Sequence, residues 1–175
     1  MQISEPAEYV ILGLLKTRPM HGYEMFQHFE HGTLGQIIHL EMSQMYAFLK
    51  KLEKLAYIEA EQESRGRRPP RRTFHLTGEG EQVFCSWLTL PVEKPRDIRI
   101  LFLIKLYFIR YFLPDQIDYL IEQQIHACRC FLAYLESQQH ENTSTHTGDD
   151  IFFNRVVLRS RIHQTHALLG WMLEL

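Results

Sequence analysis

"MSQMYAFLKKLEKLAYIEAEQESRGRRPPRRTFHLT", Met42 to Thr77, is the segment on which the fold turns. At its start Met45, Leu49, Leu52 and Ala56 recur at i, i+4, i+7 and i+11, with Phe48 and Leu55 beside them, which predicts a helix with one apolar face. The opposite face carries Ser43, Ala47, Lys50, Lys51 and Lys54. Small side chains at the first turn allow close approach to another surface, and lysines toward the end reach outward, as a helix entering a DNA major groove requires. Two stretches then alternate enough to be strands, Tyr57–Ser64 and Arg72–Leu76. Between and at their ends lie Arg65, Gly66, Arg67, Arg68, Pro69, Pro70 and Arg71. Proline cannot donate to a sheet ladder, so the prolines belong to a hairpin loop and the arginines project from it.

Upstream, Ser4 reads as the N-cap of a helix running through "EPAEYVILGLL", and "MHGYEMFQHFEHG" as a second short helix closed by Gly32. Downstream, Thr77 reads as the N-cap of a fourth helix, "GEGEQVFCSWL". Three helices, a hairpin and a further helix describe a winged helix-turn-helix with a two-stranded wing. The formal net charge is only -2. Phosphate attraction requires positive charge on the facing surface, not an overall basic chain, and the wing arginines supply it.

Pro91 and Pro95 interrupt helical continuation. They divide a DNA-binding domain, residues 1–90, from a helical dimerisation domain, residues 95–175, in a fold that is mainly α. The apolar stretch Ile98–Leu113 is broken by Arg99, Lys105 and Arg110 and is read as a buried, intersubunit helix, not a membrane span. The polar string Ser137–Asp150 reads as an exposed loop. In the helix beginning near Asp115, Ile117, Ile121, Gln124, Cys128, Phe131 and Leu135 alternate in four- and three-residue steps. The last helix has a similar seam through Ile151, Leu158, Ile162, Leu169 and Met172, with Trp171 adjoining. At roughly 35 Å, that helix is too long for so small a domain to cover alone. A second copy related by twofold symmetry covers it, giving a homodimer.

Other chemistry finds little support. Three cysteines make no disulfide framework and no secretory leader is evident, which points to the cytoplasm. "HACRC" and the pairs His28/His31 and His163/His166 have spacings that can hold a metal, yet Cys128 and Cys130 lie about 200° apart on a helix. They are read as packing and surface residues, with no metal or other cofactor. No phosphate loop, nucleophile elbow or supported carboxylate pair argues for an enzyme, and His75 is read as a strand-surface residue able to touch phosphate. Two other classes fit the same features: a winged-helix scaffold for protein interaction, and a metal or small-molecule binder without DNA activity.

"ILGLL", "PMHGYEM", "SQMYAFLKKLEKLAYIEAE", "RGRRPPRRTFHLT" and "GEG" together resemble, in order and spacing, the DNA-binding domain of the PadR family of bacterial transcriptional regulators. "PRDIRILFLIKLYF" and "LLGWMLEL" resemble the helical C-terminal domain that some members share with virulence activators. The resemblance implies a dimeric regulator, most often a repressor, held together by its C-terminal helices. It puts Tyr46 on backbone phosphate and Tyr23 in structural packing, and it allows a small aromatic effector; Tyr107, Phe108, Tyr111 and Phe112 near the domain boundary could line a pocket for it, but read first as rings that pack the core. Ser43, Gln44 and Lys50 are read as reaching base edges, beside Ala47, and the wing arginines as meeting phosphates on inverted-repeat, double-stranded DNA. Two departures from the family pattern stand out. Glu41 replaces a small capping residue, and Ala56 replaces the glycine after the helix, predicting a differently shaped helix end.

Overall fold

Helix α1, Pro6–Thr17, opens on Glu5 rather than Ser4, because Glu5 and Glu8 complete a reciprocal capping box and Pro6 pre-sets the first turn. The structure is a computed structural model, and it describes residues 3–63, 71–141 and 149–175. After α1 come strand β1 (Met20–His21), helix α2 (Gly22–Glu30), a one-turn helix α3 (Leu34–Ile37) and helix α4 (Met42–Lys54). Strands β2 (Ile58–Glu63) and β3 (Arg71–Leu76) follow, then helices α5 (Gly78–Thr89), α6 (Pro95–Phe112), α7 (Ile117–Glu141) and α8 (Asp149–Met172).

The chain forms two units, one of Met1–Thr89 with Ile98–Phe112, the other of Leu90–Asp97 with Leu113–Leu175. The sequence boundary groups α6 with the C-terminal helices, whereas its residues from Ile98 onward pack in the first unit. Gly13 on α1 makes this possible: a Cβ there would lie 2.5 Å from the Phe108 ring, so only a bare backbone admits it. Phe84 of α5 meets Phe108 and Phe112 edge to face, and Phe108 stacks with Phe112. Tyr107 and Tyr111 also contact each other, so these rings are engaged in ring–ring packing, with Phe108 wholly buried.

The first unit's sheet has the order β1-β3-β2, all antiparallel, with Ile58 opposite Leu76 and Met20 opposite Phe74. The wing hairpin is thus backed by a third, two-residue strand. Phe74 and Ile58 point inward to join Ile11, Leu12, Met25, Phe29, Met45, Leu49 and Leu52 in the core. Thr77 caps α5, its hydroxyl accepting the Gly80 N–H at 3.1 Å and donating to the Ala56 carbonyl at 2.7 Å. In the second unit α7 and α8 pack against each other. The fully buried Gln124 of α7 accepts the Val92 N–H at 2.6 Å and donates to the Val92 carbonyl at 2.9 Å. This two-point clamp satisfies the buried amide and fixes the segment before α6 onto α7.

Candidate nucleic-acid interface and pairing surface

Helix α4 buries Met45, Leu49 and Leu52 and presents Ser43, Gln44, Tyr46, Ala47, Lys50 and Lys54 to solvent. The face read from the sequence is therefore open, with one correction. Lys51 turns inward and ties to the buried Glu8 of α1, at 2.6 and 2.9 Å, and to the Ser4 hydroxyl at 2.9 Å. Neither Lys50 nor Lys54 has an ion-pair partner among the described residues, so both charges are available to an outside anion.

Both ends of α4 show what the two departures do. At the start, Glu41 and Gln44 form a capping box in which the Gln44 carbonyl oxygen accepts the Glu41 N–H at 3.0 Å. That leaves the two amide N–H donors of Gln44 to face outward. At the end, Ala56 sits at φ 58°, its N–H donating to the Glu53 carbonyl while the Tyr57 N–H donates to that of Leu52. These two bonds are a Schellman motif, the helix stop normally made with glycine. The expectation of a reshaped helix end is thereby corrected: the alanine adopts the left-handed conformation, held by the Thr77 hydroxyl on its carbonyl.

Beside this face lies a cleft of about 670 Å³ lined by His21, Gly22, Tyr23, Glu24, Gln27, Tyr46, Arg72 and Phe74. Gly22 lets α2 approach α4, since a Cβ there would come within 3.1 Å of both Tyr46 and Leu49. Tyr46 is 52% exposed and Tyr23 57% exposed. Tyr23, read from the sequence as packing, instead stands open on the same cleft. That reading rests on the motif around Tyr23, and a side chain's exposure is set by tertiary packing that no local motif gives. Arg72 is partly committed, 2.5 Å from Glu53 and over the Phe74 ring. His75 faces Glu61 at 3.5 Å rather than an open basic surface. Arg65, Gly66, Arg67 and Arg68 lie outside the described residues; Arg71 begins β3.

The seams read for dimerisation are divided in the second unit. Cys128, Leu169 and Met172 are already buried in the single chain, and burial pushes the Cys128 thiol pKa upward. Ile121, Phe131, Leu158, Ile162 and Trp171 are half-buried. Absent from the predicted seam is a patch on α8, where Phe152 and Phe153 are each 65% exposed beside Val156. Regular spacing marks a seam on one face only, and α8 carries apolar residues on more than one. Among the described residues no three His, Cys, Asp or Glu side chains converge as a metal site would need. No described helix is long and apolar enough to cross a membrane.

Residues 11–85 match the family described as "Transcriptional regulator PadR-like family". The negative transcriptional regulator PadR of Bacillus subtilis (strain 168) is 29% identical over 129 residues, 74% of this chain and 70% of that protein. The crystal structure of Bacillus subtilis PadR in complex with operator DNA aligns with 97% of this chain and 96% of that one, at 25% identity and a TM-score of 0.50. That of the same protein in complex with p-coumaric acid aligns with 97% of this chain and 92% of that one, at 24% identity and a TM-score of 0.44.

Proposed function

We propose, for a chain whose residues 11–85 form a PadR-like domain, that it is a cytoplasmic repressor binding inverted-repeat operator DNA as a homodimer. The observation that carries this reading is the open face of α4. Ser43, Gln44, Ala47 and Lys50 share one exposed surface whose backing residues Met45, Leu49 and Leu52 are locked in the core. Side chains so held can read base edges without a large ordering cost. Tyr23 and Tyr46 flank that face and offer hydroxyls to backbone phosphates, Lys54 contributes charge, and Arg65, Gly66, Arg67, Arg68 and Arg71 are the further phosphate contacts expected from the sequence.

The homodimer forms through α7 and α8. Half-buried Ile121, Phe131, Leu158, Ile162 and Trp171, together with the exposed Phe152, Phe153 and Val156, leave an apolar surface that pairing with a second copy removes from water. Cys128, Leu169 and Met172 are buried within the single chain and are left out of that surface. A small aromatic effector then releases the DNA. An electrophoretic shift with the DNA upstream of the chain's own coding sequence tests the reading. A sharp complex that persists in excess random DNA supports it; equal competition by random DNA refutes sequence specificity.

A further inference from the structure

On α7 the Cys130 sulfur lies 3.6 Å from Nε2 of His126, one turn earlier, and both side chains are exposed. Within "HACRC", Cys128 cannot join Cys130: it is buried, and the Gln124 amide meets its sulfur at 3.9 Å. His126 is the donor that a spacing of four residues brings to the same face instead. Zinc holds a thiolate sulfur at about 2.3 Å and an imidazole nitrogen at about 2.0–2.1 Å. At the tetrahedral angle those two bonds set the donors about 3.5–3.6 Å apart, which is the separation this pair already has. The thiol–imidazole contact holds both side chains in place, so little ordering cost remains when a metal arrives.

Ile121 and Phe131, five residues to either side, lie about 140° around the helix from His126. Pairing of a second copy on those residues therefore leaves the His126–Cys130 face open to water. No third His, Cys, Asp or Glu joins the pair among the described residues, so the pair makes an open chelate, two protein donors with water in the other positions, and not a closed structural site. A thiolate with an imidazole selects zinc over magnesium or calcium, which prefer oxygen. We propose that His126 and Cys130 chelate one zinc ion on the outer face of α7, the thiol proton passing to solvent as the sulfur binds. The chelate staples one turn of α7 beside Gln124, whose amide holds Val92.

Titration of the reduced full chain with cobalt(II), the coloured stand-in for zinc, tests this without DNA, so the result does not depend on the operator reading. A thiolate-to-cobalt charge-transfer band should appear, saturate at one cobalt per chain, and be bleached by zinc but not by magnesium. Cys130→Ser should abolish the band, and His126→Gln should weaken cobalt binding by at least about tenfold. Cys85→Ser, on α5, should leave both band and affinity unchanged. Because Cys130 and His126 are exposed, their variants should keep the wild-type circular dichroism. Absence of the band, its survival in Cys130→Ser, or full affinity in His126→Gln would overturn the assignment.

Discussion

The Lys51 ammonium lies 2.6 Å from a carboxylate oxygen of Glu8, whose side chain is wholly buried. Glu8 also accepts the N–H groups of Ser4 and Glu5 at 2.9 and 3.1 Å. One carboxylate thus caps α1 and anchors α4, the helix proposed to meet DNA. Lys51 belongs to the scaffold, and its neighbour Lys50 to the exposed face proposed to meet DNA.

Substitution separates the two lysines. Lys51→Ala leaves a buried carboxylate without its cation and should lower stability by about 2–3 kcal/mol, somewhat less than for a fully buried pair because Lys51 keeps some solvent. Lys50→Ala should change stability by less than about 0.5 kcal/mol. It should also flatten the dependence of log affinity on log salt by roughly 0.9 for each phosphate left unneutralised, where Lys51→Ala in the folded protein should not. Urea denaturation and salt titrations of DNA binding measure these effects, and the opposite assignment would remove Lys51 from the scaffold.

Ala56 at φ 58° carries a Cβ in a conformation glycine adopts without strain. Ala56→Gly should therefore stabilise the chain by about 1 kcal/mol despite the greater entropy of an unfolded glycine. The denaturant midpoint should rise with the m-value unchanged. A lower midpoint would mean that the Thr77 and Schellman bonds hold the alanine without strain.

The contrast between these residues explains what the sequence could disclose. Met45, Leu49 and Leu52 repeat along one element, so the period alone exposes the face that α4 buries. Lys51 has the same composition as Lys50 and Lys54, and only the distant Glu8, 43 residues earlier, decides that it turns inward. Strand β1 has two residues and α3 one turn, too short for any periodicity. The place of α6 depends on Gly13 admitting Phe108, an approach of distant elements that no local pattern encodes. The α4 face was therefore largely legible, whereas the cleft at Tyr23 required tertiary packing to appear.

Lys105 of α6 is buried against the Trp87 ring, its ammonium 3.8 Å from the centroid and bonded to the Trp87 carbonyl. Burial pushes its pKa down to about 7, from 10.5, although the ring and carbonyl favour the charged form. Below pH 7 both folded and unfolded states hold the proton, and the burial cost is fully present. As pH rises from about 7 toward 10.5 the folded chain loses its proton first, the unfolded state binds more protons, and that cost declines. Lys105→Met should therefore be more stable than wild type by about 1–3 kcal/mol at pH 6, with the advantage closing toward pH 10. Denaturation across this range checks the sign; an advantage that grows with pH would contradict it.

The most direct test of the DNA-reading face is the affinity of Gln44→Glu for a duplex selected by the wild-type chain from a random pool, measured by fluorescence anisotropy. Glutamate at this position retains the capping-box acceptor for the Glu41 N–H, so the helix start and the melting temperature should be kept. It removes both amide donors and puts a negative charge on the face that α4 is proposed to turn to the groove. The account predicts at least about thirtyfold weaker binding to the selected duplex, about 2 kcal/mol, with the fold intact. Wild-type affinity and an unchanged ranking of duplex variants would contradict the claim that the exposed face of α4 reads DNA.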